Sequence, residues 1–236
     1  MLNFLKRKYD RFFESSKLFK IKRFIQENFK EKNIGDIGFD FKDKPHRFNI
    51  IQEIINIKNY KTYLEIGCFA NEVFNKIKIL EKIGVDPVSG GTIKATSDNF
   101  FKTNTKTFDC IFIDGLHKYK QVKKDINNSL LFLNKGGIIL LHDCLPNNVF
   151  DQAVPRCQYH WNGDVWKAIV ECRTHDELDV YTCYADMGIG VIFKRKNTNK
   201  LSIKIQNFSK LKFHDYFHNY KKFMNIISYE KLLKIL

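Results

Sequence analysis

FDCIFIDGLHKYKQVKKDI (108–126), followed shortly by GGIILLHDCLP (136–146), decides the fold. Each segment holds a short apolar run, 108–113 and 138–141, rich in β-branched and aromatic residues. Each run stops on ionisable side chains: Asp114 with His117 three residues later, then His142 with Asp143. The stretch 118–133 between them reads as a helix, so the two strands are joined by a crossover and should lie parallel. Working outward, 62–67 and 82–86 read as further strands, and 48–57 and 72–80 as helices. The runs 180–184 and 188–193 are separated only by a short Ala-Asp-Met turn and should form a hairpin. The expected fold is α/β, a Rossmann-like, doubly wound, mostly parallel seven-stranded sheet closed by an antiparallel hairpin.

The two ends differ from this core. Residues 1–31 carry apolar side chains at three- and four-residue spacing among lysines, the pattern of an amphipathic helix. Such a helix suits packing on the domain or on a second subunit, which makes a homodimer reasonable; the sharper reading rests it on an anionic membrane surface. A polar connector follows, broken by Gly35 and Gly38. The expected organisation is a helical extension (1–46), a central domain (47–196) and a basic, helical tail (197–236). All of the chain's +14 net charge lies at its ends. Residues 1–46 hold 12 Lys/Arg against 7 Asp/Glu, residues 194–236 hold 11 against 2, and 47–193 hold 17 of each. The neutral centre argues against a nucleic-acid substrate. No apolar run reaches the ~18 residues that span a bilayer. The six cysteines show neither a CxxC pair nor zinc-ligand spacing. A reduced compartment, the cytoplasm, is the expected location.

In an open α/β sheet, ligands bind beyond the carboxyl ends of the strands. The strand at 62–67 ends in YLEIGCFANE, where Gly67 lets the backbone approach a ligand and Glu65 precedes it by two residues. The strand at 82–86 ends in Asp86, placed to grip a ribose diol. This pattern resembles class I S-adenosylmethionine-dependent methyltransferases. The resemblance implies donor binding by Glu65, Gly67, Asn71, Asp86 and Asp114, with Ser97 and Asp98 near the adenine. It departs from the family where further glycines are usual. Asn71 tolerates left-handed angles and can stand in for one; Phe69 is not expected to.

The pairing of IDGLHKY (113–119) with HDCLP (142–146) resembles small-molecule and sugar O-methyltransferases. The segment WNGDVWKA (161–168) is similar to a bacterial subgroup of uncharacterised methyltransferases. The resemblance implies O-methylation of a sugar, glycan precursor or small hydroxyl compound, with His117 as general base flanked by Asp114 and Asp143. Imidazole titrates near neutral pH, which suits that task. In related enzymes a divalent metal, Mg²⁺ for example, sits at positions that fall here on Asp114, His142 and Asp143, although a histidine suits Mg²⁺ poorly. Trp161, Asp164 and Arg173 are the substrate-side candidates. Two other readings stay open: a nucleic-acid methyltransferase aided by the basic ends, and a non-catalytic binding or scaffold domain.

Overall fold

The computed structural model describes residues 17–236; the first half of the N-terminal helical expectation lies outside the described residues. Helix α1 (Lys17–Ile25) runs into a widened helical turn, Gln26–Lys30. The core contains α2 (Arg47–Lys58), β1 (Thr62–Ile66), β2 (Glu81–Asp86), β3 (Ile93–Lys94), α3 (Ser97–Thr103), β4 (Phe108–Ile113), α4 (Tyr119–Leu131) and β5 (Leu133–Leu141). It continues through α5 (Trp166–Cys172), β6 (Asp179–Cys183) and β7 (Ile189–Phe193). The tail supplies α6 (Phe213–Met224), β8 (Ile226–Ile227) and α7 (Tyr229–Ile235).

The sheet order is β3-β2-β1-β4-β5-β7-β6-β8. Strands β1 to β5 pair parallel, while β7 pairs antiparallel with both β5 and β6. Alternate residues of the central strands feed opposite faces, as the two-residue period requires. Ile111, Ile113, Ile139 and Leu141 pack with residues of α3 to α6; Cys110, Phe112, Ile138 and Leu140 pack with residues of α2 and α7. Burial on both faces explains why β4 and β5 read as near-continuous apolar runs. All six cysteines are buried and unpaired. No helix among the described residues is long and apolar enough to cross a membrane.

Three details differ from expectation. The tail is not only helical, because β8 adds an eighth strand beside β6. The helix expected over 72–80 is absent, and residues 69–76 are a run of turns. Side chains satisfy the backbone there: Gln52 pairs with both the N–H and the carbonyl of Lys78 (2.7 and 3.0 Å). Lys82 Nζ donates to the carbonyls of Phe74 and Ile77 (2.7 and 2.9 Å). The segment keeps only isolated helix-type bonds, from Asn75 N–H to Asn71 and from Ile77 N–H to Val73 (3.0 and 3.3 Å), and no continuous ladder. Finally, Phe69 does adopt the left-handed region (φ 44°), alongside Asn71 (φ 59°). Its side chain is 76% exposed, so the ring leaves the hollow open.

Candidate active site

A cleft of about 450 Å³ opens at the carboxyl ends of β1, β4 and β5, where the strand order reverses. One wall is the turn after β1, with Glu65, Gly67, Cys68 and Phe69; the opposite wall includes Arg156, Tyr159, His160 and Trp161. The floor carries Asp114, His117, His142 and Asp143. Four predicted side chains from two strand tips therefore meet in one place.

Local backbone geometry explains the meeting. Asp114 N–H donates to the carbonyl of Ile66 (2.8 Å), carrying the β4 tip alongside β1. Gly67 has φ +89°, and a Cβ there would lie 2.3 Å from the Asp114 carbonyl oxygen. The glycine is thus needed for contact between β1 and β4, before any ligand is considered. Past β5, Asp143 turns through the left-handed region (φ 62°), as do Asp186 and Met187 in the hairpin turn. Backbone bonds from Cys144 to Gly188 and from Leu145 to Met187 (3.0 and 2.9 Å) zip the two turns together. The result is a third carboxylate, Asp186, beside His142.

His142 is surrounded by acids. Its Nδ1 lies 3.3 Å from Asp114 Oδ1 and 3.1 Å from Asp143 Oδ2, and its Nε2 lies 3.3 Å from Asp186 Oδ1. Burial alone would lower its pKa, but Asp143 and Asp114 outweigh that and push it well above the ordinary imidazole value. Arg47 Nη1 also lies 3.5 Å from His142 Nε2, so both ring nitrogens of His142 are engaged. Arg47, at the start of α2, adds a cation, 3.2 Å from Asp186 and 3.6 Å from Asp114. Asp114 stays well below the usual carboxylate range: burial raises it, and His142 and His117 more than reverse the effect. Asp186 is likewise lowered by His142 and Arg47 against its burial.

His117 is held differently. Its Nδ1 faces two acceptors, Asp143 Oδ2 (3.2 Å) and the Trp161 carbonyl (3.2 Å), so that nitrogen carries a proton. Its Nε2 lies 3.3 Å from Asp114 Oδ1. Trp161 stacks on the imidazole, with centroids 5.1 Å apart and planes 23° apart, and anchors its own Nε1 to the Ala153 carbonyl (2.6 Å). Asn162 donates to Asp143 Oδ1 (3.3 Å). Gly163 lies so close that a Cβ would fall 1.9 Å from the His117 carbonyl oxygen, at φ +61°. Gly163→Ala is thus expected to displace His117 and cut turnover roughly 100-fold. Single-turnover kinetics beside donor titration would check this, because donor affinity should hold.

Several predicted residues serve elsewhere. Asp86 accepts four backbone N–H groups: Cys68 and Phe69 on Oδ2 (3.1 and 2.9 Å), Val88 and Ser89 on Oδ1 (2.8 and 2.9 Å). It ties the turn after β1 to the loop after β2, and a ribose diol would have to displace those donors. Asn71 reinforces the same tie, accepting from Gly91 N–H (2.7 Å). Ser97 and Asp98 lie outside the cleft, both engaged by Gln121 (3.2 and 3.0 Å) at the start of α3, whose N-cap is Thr96. Asp164 accepts from Tyr119 N–H (2.6 Å) and so caps α4 from outside that helix. Arg173 binds carbonyls of the tail instead of lining the cleft. Glu65 does line the cleft; burial lifts its pKa to about 7 against a 2.6 Å hydrogen bond from Tyr63.

The metal set needs revision. The compact group is Asp114, His117 and Asp143, whose ligand atoms lie within 4.8 Å of one another, while His142 is the ion-pair hub. Asp114 Oδ1 and Asp143 Oδ2 are each shared by the two imidazoles. A hard divalent cation such as Mg²⁺ prefers oxygen ligands and would compete with a positive charge already in place. These residues do not fit it.

Residues 58–144 match the Methyltransf_24 family model, described as a methyltransferase domain. An uncharacterized protein of Acanthamoeba polyphaga mimivirus is 26% identical, over 61% of this chain and 74% of that protein. A candidate O-methyltransferase from Klebsiella pneumoniae superposes with a TM-score of 0.50 at 11% identity, covering 77% of this chain and 91% of its own. The SAH-bound methyltransferase PaMTH1 of Podospora anserina gives 0.47 at 19% identity, covering 64% and 78%. The chain has an α/β, Rossmann-like fold with a mostly parallel sheet, and within it residues 58–144 are similar to a methyltransferase domain.

Proposed function

We propose that this protein transfers a methyl group from S-adenosylmethionine to a hydroxyl of a small molecule, with a sugar or glycan precursor as the acceptor. The observation that carries this reading is His117: its Nδ1 is pinned by Asp143 and the Trp161 carbonyl, while its Nε2, 3.3 Å from Asp114 Oδ1, lies in the cleft and can accept a proton only when the imidazole is neutral. The donor supplies a methyl carbon activated by positively charged sulfur. Glu65 and Asp114 line the cleft and suit its cationic groups, and Arg47 offers a partner for its carboxylate. His117 Nε2 takes the hydroxyl proton as the oxygen attacks the methyl carbon, and Asp114 and Asp143 stabilise the imidazolium that forms. Arg156, Tyr159, His160 and the free edge of Trp161 supply the aromatic and hydrogen-bonding surfaces that sugars use.

Calorimetry should show micromolar binding of the donor and of its demethylated product. A panel of nucleotide sugars and oligosaccharides should then yield a methylated product. The absence of both binding events would end this reading; binding without turnover on any hydroxyl compound would favour a non-catalytic domain. We further expect metal independence, because His142 and Arg47 already neutralise the carboxylates. Activity should survive exhaustive chelation within about twofold. A loss restored by added divalent metal would reverse this.

A further inference from the structure

Helix α1 is docked by one side only. Phe19 and Gln26 are buried, Arg23 lies 4.2 Å over the Phe150 ring, and Lys30 Nζ donates to the Val154 carbonyl (2.6 Å). Glu31 then accepts from Gln152 (3.0 Å) and from the first amide of α6, so the two basic ends of the chain meet here. Among the described residues, nothing covers the other, apolar side. Leu18, Ile21, Phe24 and Phe29 are each more than half exposed, and Ile25 is exposed beside them. Spacings of three and four place Leu18, Ile21, Phe24 and Ile25 on one stripe, and Phe29 joins it edge-on to Phe24 at 6.1 Å. Lys17, Lys20, Lys22 and Lys32, which do not take part in the docking, flank the stripe, against Glu27.

We infer that this face seats the protein on an anionic lipid bilayer, with the stripe in the acyl boundary and the lysines among the headgroups. The charge argues for lipid over a second copy, since two such faces would repel each other. The placement also bears on chemistry. The loop that anchors α1, through Phe150, Gln152 and Val154, continues into Arg156, Tyr159, His160 and Trp161 of the cleft wall. The helix that would touch the bilayer is thus held by the same loop that lines the cleft; a hydroxyl acceptor carried on a lipid suits this connection, and this last step rests on the methyltransferase reading.

The test is co-sedimentation of the full chain with vesicles of phosphatidylcholine and phosphatidylglycerol in equal parts, and with phosphatidylcholine alone. The protein should pellet with the mixed vesicles, far less with the neutral ones, and release as salt rises. Ile21→Asp with Phe24→Asp should lower partitioning at least tenfold, and Lys17→Glu with Lys20→Glu should do the same. Circular dichroism and donor affinity should stay unchanged in both. Wild-type protein left in the supernatant, or variants that pellet equally well, would overturn the inference. So would a dimer in ultracentrifugation that the Asp pair dissociates, since the stripe would then belong to a second copy. Vesicle binding without donor binding would refute the methyltransferase reading and leave the docking surface standing.

Discussion

His117→Ala is expected to slow methyl transfer by about 10²–10⁴-fold, the usual worth of a positioned general base. Donor affinity should change little, because the turn after β1 forms a separate wall. Measuring kcat on any accepted hydroxyl compound, with calorimetry on the same variant, separates the two. A variant that keeps a third of the wild-type rate would remove His117 from the chemistry. The pH profile gives a second readout. Burial lowers the His117 pKa, but Asp143 and Asp114 outweigh it, and His142 opposes them; the net result is a value above the ordinary 6.5. A base must be neutral to accept a proton, so the rate should be lost as pH falls through that raised value. Asp143→Asn should move this acid limb to lower pH, because the largest single raising cause, the Asp143 charge, is gone.

Arg173→Met is expected to destabilise the fold by about 4 kcal/mol without touching the cleft. The guanidinium lies at the end of α5 and donates to the carbonyls of Lys222, Phe223 (3.1 Å) and Asn199 (2.7 Å). Methionine preserves most of the packing but leaves three carbonyls of the tail without their donor. For a chain of this length the melting temperature should fall by ~10 °C. Urea denaturation would check the size, and donor binding below the transition should match wild type. A loss under 1 kcal/mol would mean the tail is held by its apolar contacts alone. Those contacts are extensive: Leu211, Phe213, Tyr216, Phe223 and Met224 join the same core as β4 and β5.

The sheet was legible because burial on both faces writes itself into sequence as contiguous apolar runs. For β1, β2, β4, β6 and β7 the reading matched within a residue or two at either end. The run of turns at 69–76 was not, because side chains from outside it, Gln52 on Lys78 and Lys82 on Phe74 and Ile77, bond the backbone where a helix was expected. Asp114, His117, His142 and Asp143 were readable as strand-tip groups. Arg47 and Asp186 were not, since one opens a helix and the other sits in a two-strand turn, and neither position advertises chemistry. An acidic residue in the short Ala-Asp-Met turn was the one available signal for Asp186.

By itself, then, the sequence determined which side chains reach the strand tips, because alternation and helix spacing are local properties of the chain. Only the tertiary structure decided what each is paired with. It made His142 the hub of three carboxylates, His117 an imidazole held between Asp114 and Asp143, Asp86 a backbone tie and Arg173 a strut. Charge and hydrogen-bond partners come from elements far apart in sequence, and no local pattern encodes which carboxylate a given imidazole will meet.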